Sequence, residues 1–206
     1  MKMNNTELLN LYKEQIKSNT LLEKALWEDC DFRFEDNIDV KNDILICDEE
    51  SNYEIYPFGE SGDGGVYCLL NNKLVGYISS DGACGIISKN VNDFFNLLAT
   101  CKDLIFYFYK GVFDTFQDFE EKYNEINNEV NFYNISLYKK FIDDNKFTTD
   151  VLVLYNIFKS AIITEPSFIL QADPTQYSQS DDLFYSEQEE VKKLRKNLYE
   201  REDKWV

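Results

Sequence analysis

Four glycines, Gly59, Gly62, Gly64 and Gly65, stand within seven residues, with the carboxylates Glu60 and Asp63 between them and an apolar run directly after. A loop of this kind can do two sorts of chemistry. Its backbone N–H groups can cradle a phosphate, or its carbonyls and carboxylates can surround a cation. The phosphate reading needs GxxxxGK[ST] between a strand and a helix, with the lysine reaching the β- and γ-phosphates. Here the loop has no lysine, holds two carboxylates and leads into the strand-like "GVYCLL". A dinucleotide-binding turn fails on the same topology. The cation reading lacks the D-x-[DN]-x-[DN]-G spacing of an EF-hand, and carboxylates in turns commonly accept hydrogen bonds from their own backbone. What remains for the glycines is conformational: positive φ and close backbone approach where a strand starts beside a tight turn. A small carboxylate-dependent or metal-assisted enzyme built around Glu60, Asp63 and Asp81 stands as the alternative.

Two further features of the composition bound the chemistry. The 206 residues contain no histidine, which removes Ser-His and Cys-His catalysis, HExxH zinc sites and the commonest general base. The formal net charge is −17, a field that repels nucleic-acid phosphates and anionic membranes, so neither is expected as a partner. The five cysteines, Cys30, Cys47, Cys68, Cys84 and Cys101, form no CxxC pair. They indicate neither a zinc site nor a disulfide framework, and Cys68, Cys84 and Cys101 read as small buried hydrophobes. No cofactor and no metal are expected. The first residues are polar where a secretory h-region would stand, and no apolar run reaches membrane-spanning length, which places the chain in the cytoplasm.

The elements that position the loop follow from periodicity. Leu8, Leu9, Tyr12, Ile16, Leu22, Ala25 and Leu26 predict a helix over 6–28. Short apolar runs between Asp31 and Phe58, "DILIC" and "YEIYPF", predict strands, with Pro57 confined to a strand end or edge. "GVYCLL" and "LVGYIS" are joined through Asn71-Asn72-Lys73, and the next strand, "CGIIS", follows a turn at Asp81-Gly82; both are hairpin signals. Val66 to Leu70, apolar on both faces, predicts a central strand. Val91, Phe94, Phe95 and Leu98 then lie on one helical face, and Asn90 with Asp93 resembles a capping box. Helices are predicted over 114–130, 134–146 and 149–163, an extended connector over 165–182, and a last helix over 186–203 with a Glu189–Lys193 surface pair.

Residues 57 to 99, about a fifth of the chain, resemble the core of the SUKH superfamily of bacterial immunity proteins. The resemblance lies in an ordered series. "PFGESGDGGVYCLL" gives an aromatic–Gly start, a Gly/Asp-rich turn and an aromatic-containing strand; "LVGYISSDG" closes a strand with Ser80-Asp81-Gly82; "CGIIS" and the helix "NDFFNLLA" complete it. Residues 6 to 45 lack the N-terminal Pro-x-x-Tyr/Phe segment that many members carry. The resemblance implies an α+β fold, an antiparallel sheet of four or more strands flanked by helices with a helix-rich C-terminal extension. It also implies a family role in binding and neutralising a cognate toxin, often a nuclease or deaminase. No catalytic residue carries over; Gly59, Gly62, Gly64, Gly65 and Gly82 would be fold-defining. The expected organisation is a single domain over 1–206, with a core at 28–110, a helical extension at 111–163, a connector at 164–185 and a terminal helix at 186–203.

The charge is uneven. Between Glu28 and Asp63 there are thirteen acidic residues against Arg33 and Lys41, a net −11 in 36 residues. Asp29, Asp31, Glu35, Asp36, Asp39, Asp43, Asp48, Glu49 and Glu50 lie in this stretch. Such a run is either a solvated face or a template for a basic partner. With the resemblance, the expectation is a cytoplasmic immunity protein that blocks a basic toxin domain by occlusion. A general protein-interaction adaptor is a third possibility.

Overall fold

The computed structural model describes residues 3–39, 50–108, 114–164 and 166–171. The predicted strand "DILIC", most of the connector, the terminal helix with its Glu189–Lys193 pair, and Cys47 lie outside these residues. So do Asp43, Asp48 and Glu49.

The architecture is α+β, with a five-stranded antiparallel sheet and six α-helices among the described residues. The sheet runs β1 (Arg33–Phe34), β3 (Ile55–Glu60), β4 (Val66–Leu70), β5 (Leu74–Ile78), β6 (Cys84–Ser88). A second pair joins β2 (Glu50–Ser51) to β7 (Leu170–Gln171). The central position predicted for "VYCLL" is where β4 sits. Both turns follow from their residues: Asn71 and Asn72 take φ of 50° and 54° between β4 and β5, and Gly82 takes φ 90° between β5 and β6. Pro57 lies inside β3. The two-residue β1 pairs only with Gly59 and Glu60, so β3 is an edge at the proline, which therefore leaves no ladder bond unmade.

The helix predicted over 6–28 is two helices, α1 (Asn5–Lys17) and α2 (Thr20–Cys30). The break is local. Ser18 closes α1, its N–H donating to the Glu14 carbonyl and the Asn19 N–H to that of Ile16, and the Asn19 side chain accepts the Leu22 N–H to start α2. A full capping box stands at Asn4 and Glu7. At α3 (Val91–Cys101) only half of one forms: Asn90 accepts the Asp93 N–H, but Asp93 takes the Asn90 side-chain amide instead of its backbone N–H. The later helices are α4 (Phe116–Glu129), α5 (Ile135–Asn145) and α6 (Val151–Ile162).

Alternation along β4 divides the core. Tyr67 and Leu69 belong to a cluster with residues from all six helices, while Val66, Cys68 and Leu70 cluster with Tyr53, Ala161, Phe168 and Leu170. Phe32 centres the first side, its ring 5.1–6.3 Å from those of Phe34, Phe58, Tyr67, Phe94 and Phe95, mostly edge-on. Cys30, Cys68, Cys84 and Cys101 are buried thiols, and burial raises the Cys30 and Cys101 pKa values to about 12, so they pack as hydrophobes. Among the described residues no helix is long and apolar enough to cross a membrane.

Candidate functional site

The glycine loop is a self-bonded turn fastened to the end of α2. Ser61 N–H donates to the Gly65 carbonyl (2.9 Å) and Gly64 N–H to that of Ser61 (3.1 Å). Asp63 Oδ1 accepts from the Ser61 hydroxyl, from Gly65 N–H (3.1 Å) and from the buried Tyr77 hydroxyl (3.3 Å). Asp31 ends α2 in the left-handed region (φ 49°), and its Oδ1 accepts the Gly62 N–H at 2.7 Å. Burial raises the Asp31 pKa, with Asp63 adding like charge.

Each glycine has its own reason. Gly64, at φ 89°, needs a backbone that side chains rarely adopt. Gly65 does not have positive φ; a Cβ there would instead overlap the Tyr77 hydroxyl. At Gly59 a Cβ would lie 2.7 Å from Phe32 Cε2, and at Gly62 2.8 Å from Asp31 Oδ1.

The carboxylates of the enzyme alternative are thereby committed to structure. Glu60 pairs with Arg33, whose guanidinium also lies 4.7 Å over the Trp27 ring. Asp63 holds the loop. Asp81 accepts from the Ser79 hydroxyl in its own turn, which holds its pKa below the usual range. The three are not brought together as a metal cluster, and no group of three or more potential ligands occurs among the described residues. Asp63→Asn should therefore act on folding, lowering the melting temperature by a few degrees as about 1 kcal/mol of hydrogen bonding is disturbed. Millimolar calcium, magnesium or manganese should leave both melting temperatures unchanged. A metal-dependent rise in wild type that the variant lacks would restore the metal reading.

The described carboxylates of the acidic stretch have separate surroundings. Glu35 turns back on the Asp36 and Asn37 N–H groups, and these bonds, led by Asn37, lower its pKa. Asp36 is exposed and paired with Lys13, which lowers its pKa. Asp39 is exposed. Glu50 lies in β2 against β7. Asp29 is turned inward, its Oδ2 accepting the Asn134 side-chain amide (2.8 Å) and lying 3.0 Å from the Tyr138 hydroxyl.

Asp29 also lines an open cleft of about 190 Å³, whose other carboxylates are Glu28, Asp103 and Glu129. The apolar wall is Phe106, Ile126 and Val130. Glu28, the rim residue, has Lys24 3.4 Å away on the same helix. Beside it α3 ends at Lys102, held at φ 63°. The Lys102 side chain is buried, donates to the Ala99 carbonyl and places its ammonium 3.8 Å from the centroid of the Tyr138 ring; burial lowers its pKa. Tyr138 in turn lies 2.7 Å from the Ala25 carbonyl and accepts from the Cys30 thiol.

Asp103 follows at once. Its carboxylate receives the Ile105 and Phe106 N–H groups, but its buried Oδ1 has no hydrogen-bond partner. Burial, with Asp31 as a like-charged neighbour, raises its pKa to about 6, against an opposing pull from Lys122. A raised carboxyl pKa means the folded chain holds this proton more tightly than the unfolded one. Stability is thus lost as pH rises from about 4 to about 6. Asp103→Asn should melt like wild type near pH 3.8, gain an advantage between pH 4 and 6, and keep it at neutral pH. Parallel melting curves across that window would show an unperturbed carboxyl.

Lys102, Asp103 and Glu129 escaped the sequence reading because they sit at helix ends read only for periodicity. The charged pair directly after "NLLATC" was the available signal. No protein family, curated protein or solved structure matches the chain.

Proposed function

We propose that this chain is a binding protein that neutralises a basic protein partner by covering its cationic surface. The partner class is the one the resemblance of residues 57–99 implies, a bacterial toxin domain of nuclease or deaminase type met in the cytoplasm. The observation that carries the reading is the charge: −17 overall, with a net −11 between residues 28 and 63. Enzymes that act on nucleic acids present cationic clefts, and an acidic protein approaches such a cleft quickly and competes there with phosphate. The test is association with a basic toxin domain encoded beside this chain, measured for wild type and charge-reversed variants at low and high salt. An association indifferent to both charge and salt overturns it.

A further inference from the structure

The most exposed large hydrophobic side chains among the described residues are neighbours in the α4–α5 turn, Phe132 at 81% and Tyr133 at 82%. Their rings stand edge to face, 6.2 Å apart. The turn that displays them is braced. Tyr133 N–H donates to Asn131 Oδ1 (3.0 Å), Asn134 N–H to the Asn131 carbonyl (2.8 Å), and the Asn134 side chain ties the turn to Asp29. Two aromatic rings held in water on a fixed turn bury nothing for the fold. They offer a partner large contact area at small ordering cost.

The cleft adjoins this turn directly. Glu129 and Val130, immediately before it in the chain, line the cleft, and Asp29, to which the turn is tied, lines it too. An apolar wall with carboxylates at its end fits a long aliphatic stem carrying a cation. Aromatic rings beside it favour the planar, weakly hydrated guanidinium over an ammonium. Asp29, Asp103 and Glu129 are the carboxylates that line the cleft beside that wall, and such a group would pair with them.

We propose that the α4–α5 turn and the adjoining cleft form the docking surface for a basic protein segment, one arginine of which enters the cleft beside Asp103 while Phe132 and Tyr133 pack on the residues around it. This rests on the reading of the chain as a binder of a basic partner. It moves the centre of the contact away from residues 28–63, of which only Glu28 and Asp29 take part.

The experiment uses the full chain and fluorescein-labelled octa-arginine, with anisotropy giving the Kd and backbone amide shifts giving the location. The Phe132→Ser/Tyr133→Ser double variant should weaken binding about tenfold, the loss expected of aromatic anchors, with no change in melting temperature because both rings are exposed. Asp103→Asn should weaken binding while stabilising the chain alone at neutral pH, and octa-lysine should bind less tightly than octa-arginine. Absence of any binding at low salt overturns the basic-partner reading and this site with it. Binding that survives the aromatic and Asp103 variants unchanged, with shifts confined to the acidic stretch beyond Asp31, overturns the site and leaves the broader reading standing.

Discussion

Gly65→Val is expected to lower the melting temperature by roughly 10 °C, the largest effect of any single change in the loop. The new Cβ would overlap the Tyr77 hydroxyl and come within 2.8 Å of Ser61 Oγ. Neither can withdraw: Tyr77 is 1% exposed with its ring 4.8 Å from that of Tyr67, and Ser61 is 2.8 Å from the same hydroxyl. Overpacking of this kind costs about 1–3 kcal/mol, and here the Asp63 bonds to Tyr77 and Gly65 go with it. In a chain of this length each kcal/mol corresponds to about 2–4 °C. Gly64→Val should cost less, about 1–2 kcal/mol, since its obstacle is the backbone at φ 89°. The cause at Gly65 can be isolated. Tyr77→Phe removes the obstructing oxygen, so Gly65→Ala should be less harmful in that background than in wild type, a coupling read from a double-mutant cycle. Calorimetry on the four proteins decides the matter. A Gly65→Val protein that melts like wild type but loses a binding activity would return the loop to the ligand-holding class.

The parts of the structure legible in the sequence are those whose causes are local. Asn71-Asn72 and Asp81-Gly82 announce their turns because few residues accept positive φ, and α4, α5 and α6 follow from apolar spacing over eleven to fourteen residues. The division of the first helix at Ser18-Asn19 was overlooked because both halves are amphipathic; the six-residue step from Ile16 to Leu22 was the mark of the break. The acidic stretch is continuous in sequence, but its described carboxylates have different partners. Adjacent carboxylates in sequence point to different tasks in space: Glu35 to its own backbone, Asp36 to Lys13, Asp31 to Gly62. The cleft could not be read at all, since its walls come from α2, the end of α3 and the end of α4, and the bond that ties its rim spans 105 positions. No periodicity reports a contact of that range.

Reversing Asp36, Asp39, Glu49 and Glu50 to lysine should slow association with a basic toxin domain by 10- to roughly 1000-fold, the range over which electrostatic steering acts. Four reversals change the net charge from −17 to −9, and that of residues 28–63 from −11 to −3, a larger proportional change, because these residues supply four of the thirteen acidic groups between Glu28 and Asp63. Asp36 is the most informative single member. Its carboxylate is already paired with Lys13, so Asp36→Lys both removes an anion and releases a lysine to repel the partner. Stability should hardly move, since an exposed pair of this kind contributes about 0–1 kcal/mol. Raising the salt should shrink the difference between wild type and variant, because the Debye length is about 8 Å at physiological ionic strength and shortens further above it. Dissociation separates this surface from the cleft. Rim charges act on the on-rate, whereas a desolvated contact at Asp103 or the Phe132–Tyr133 turn would act on the off-rate. Stopped-flow association at two salt concentrations, with dissociation followed separately, distinguishes the two. An unchanged association rate in a folded quadruple variant would leave residues 36–50 as a solvated face, and the weight of recognition would fall on the α4–α5 turn.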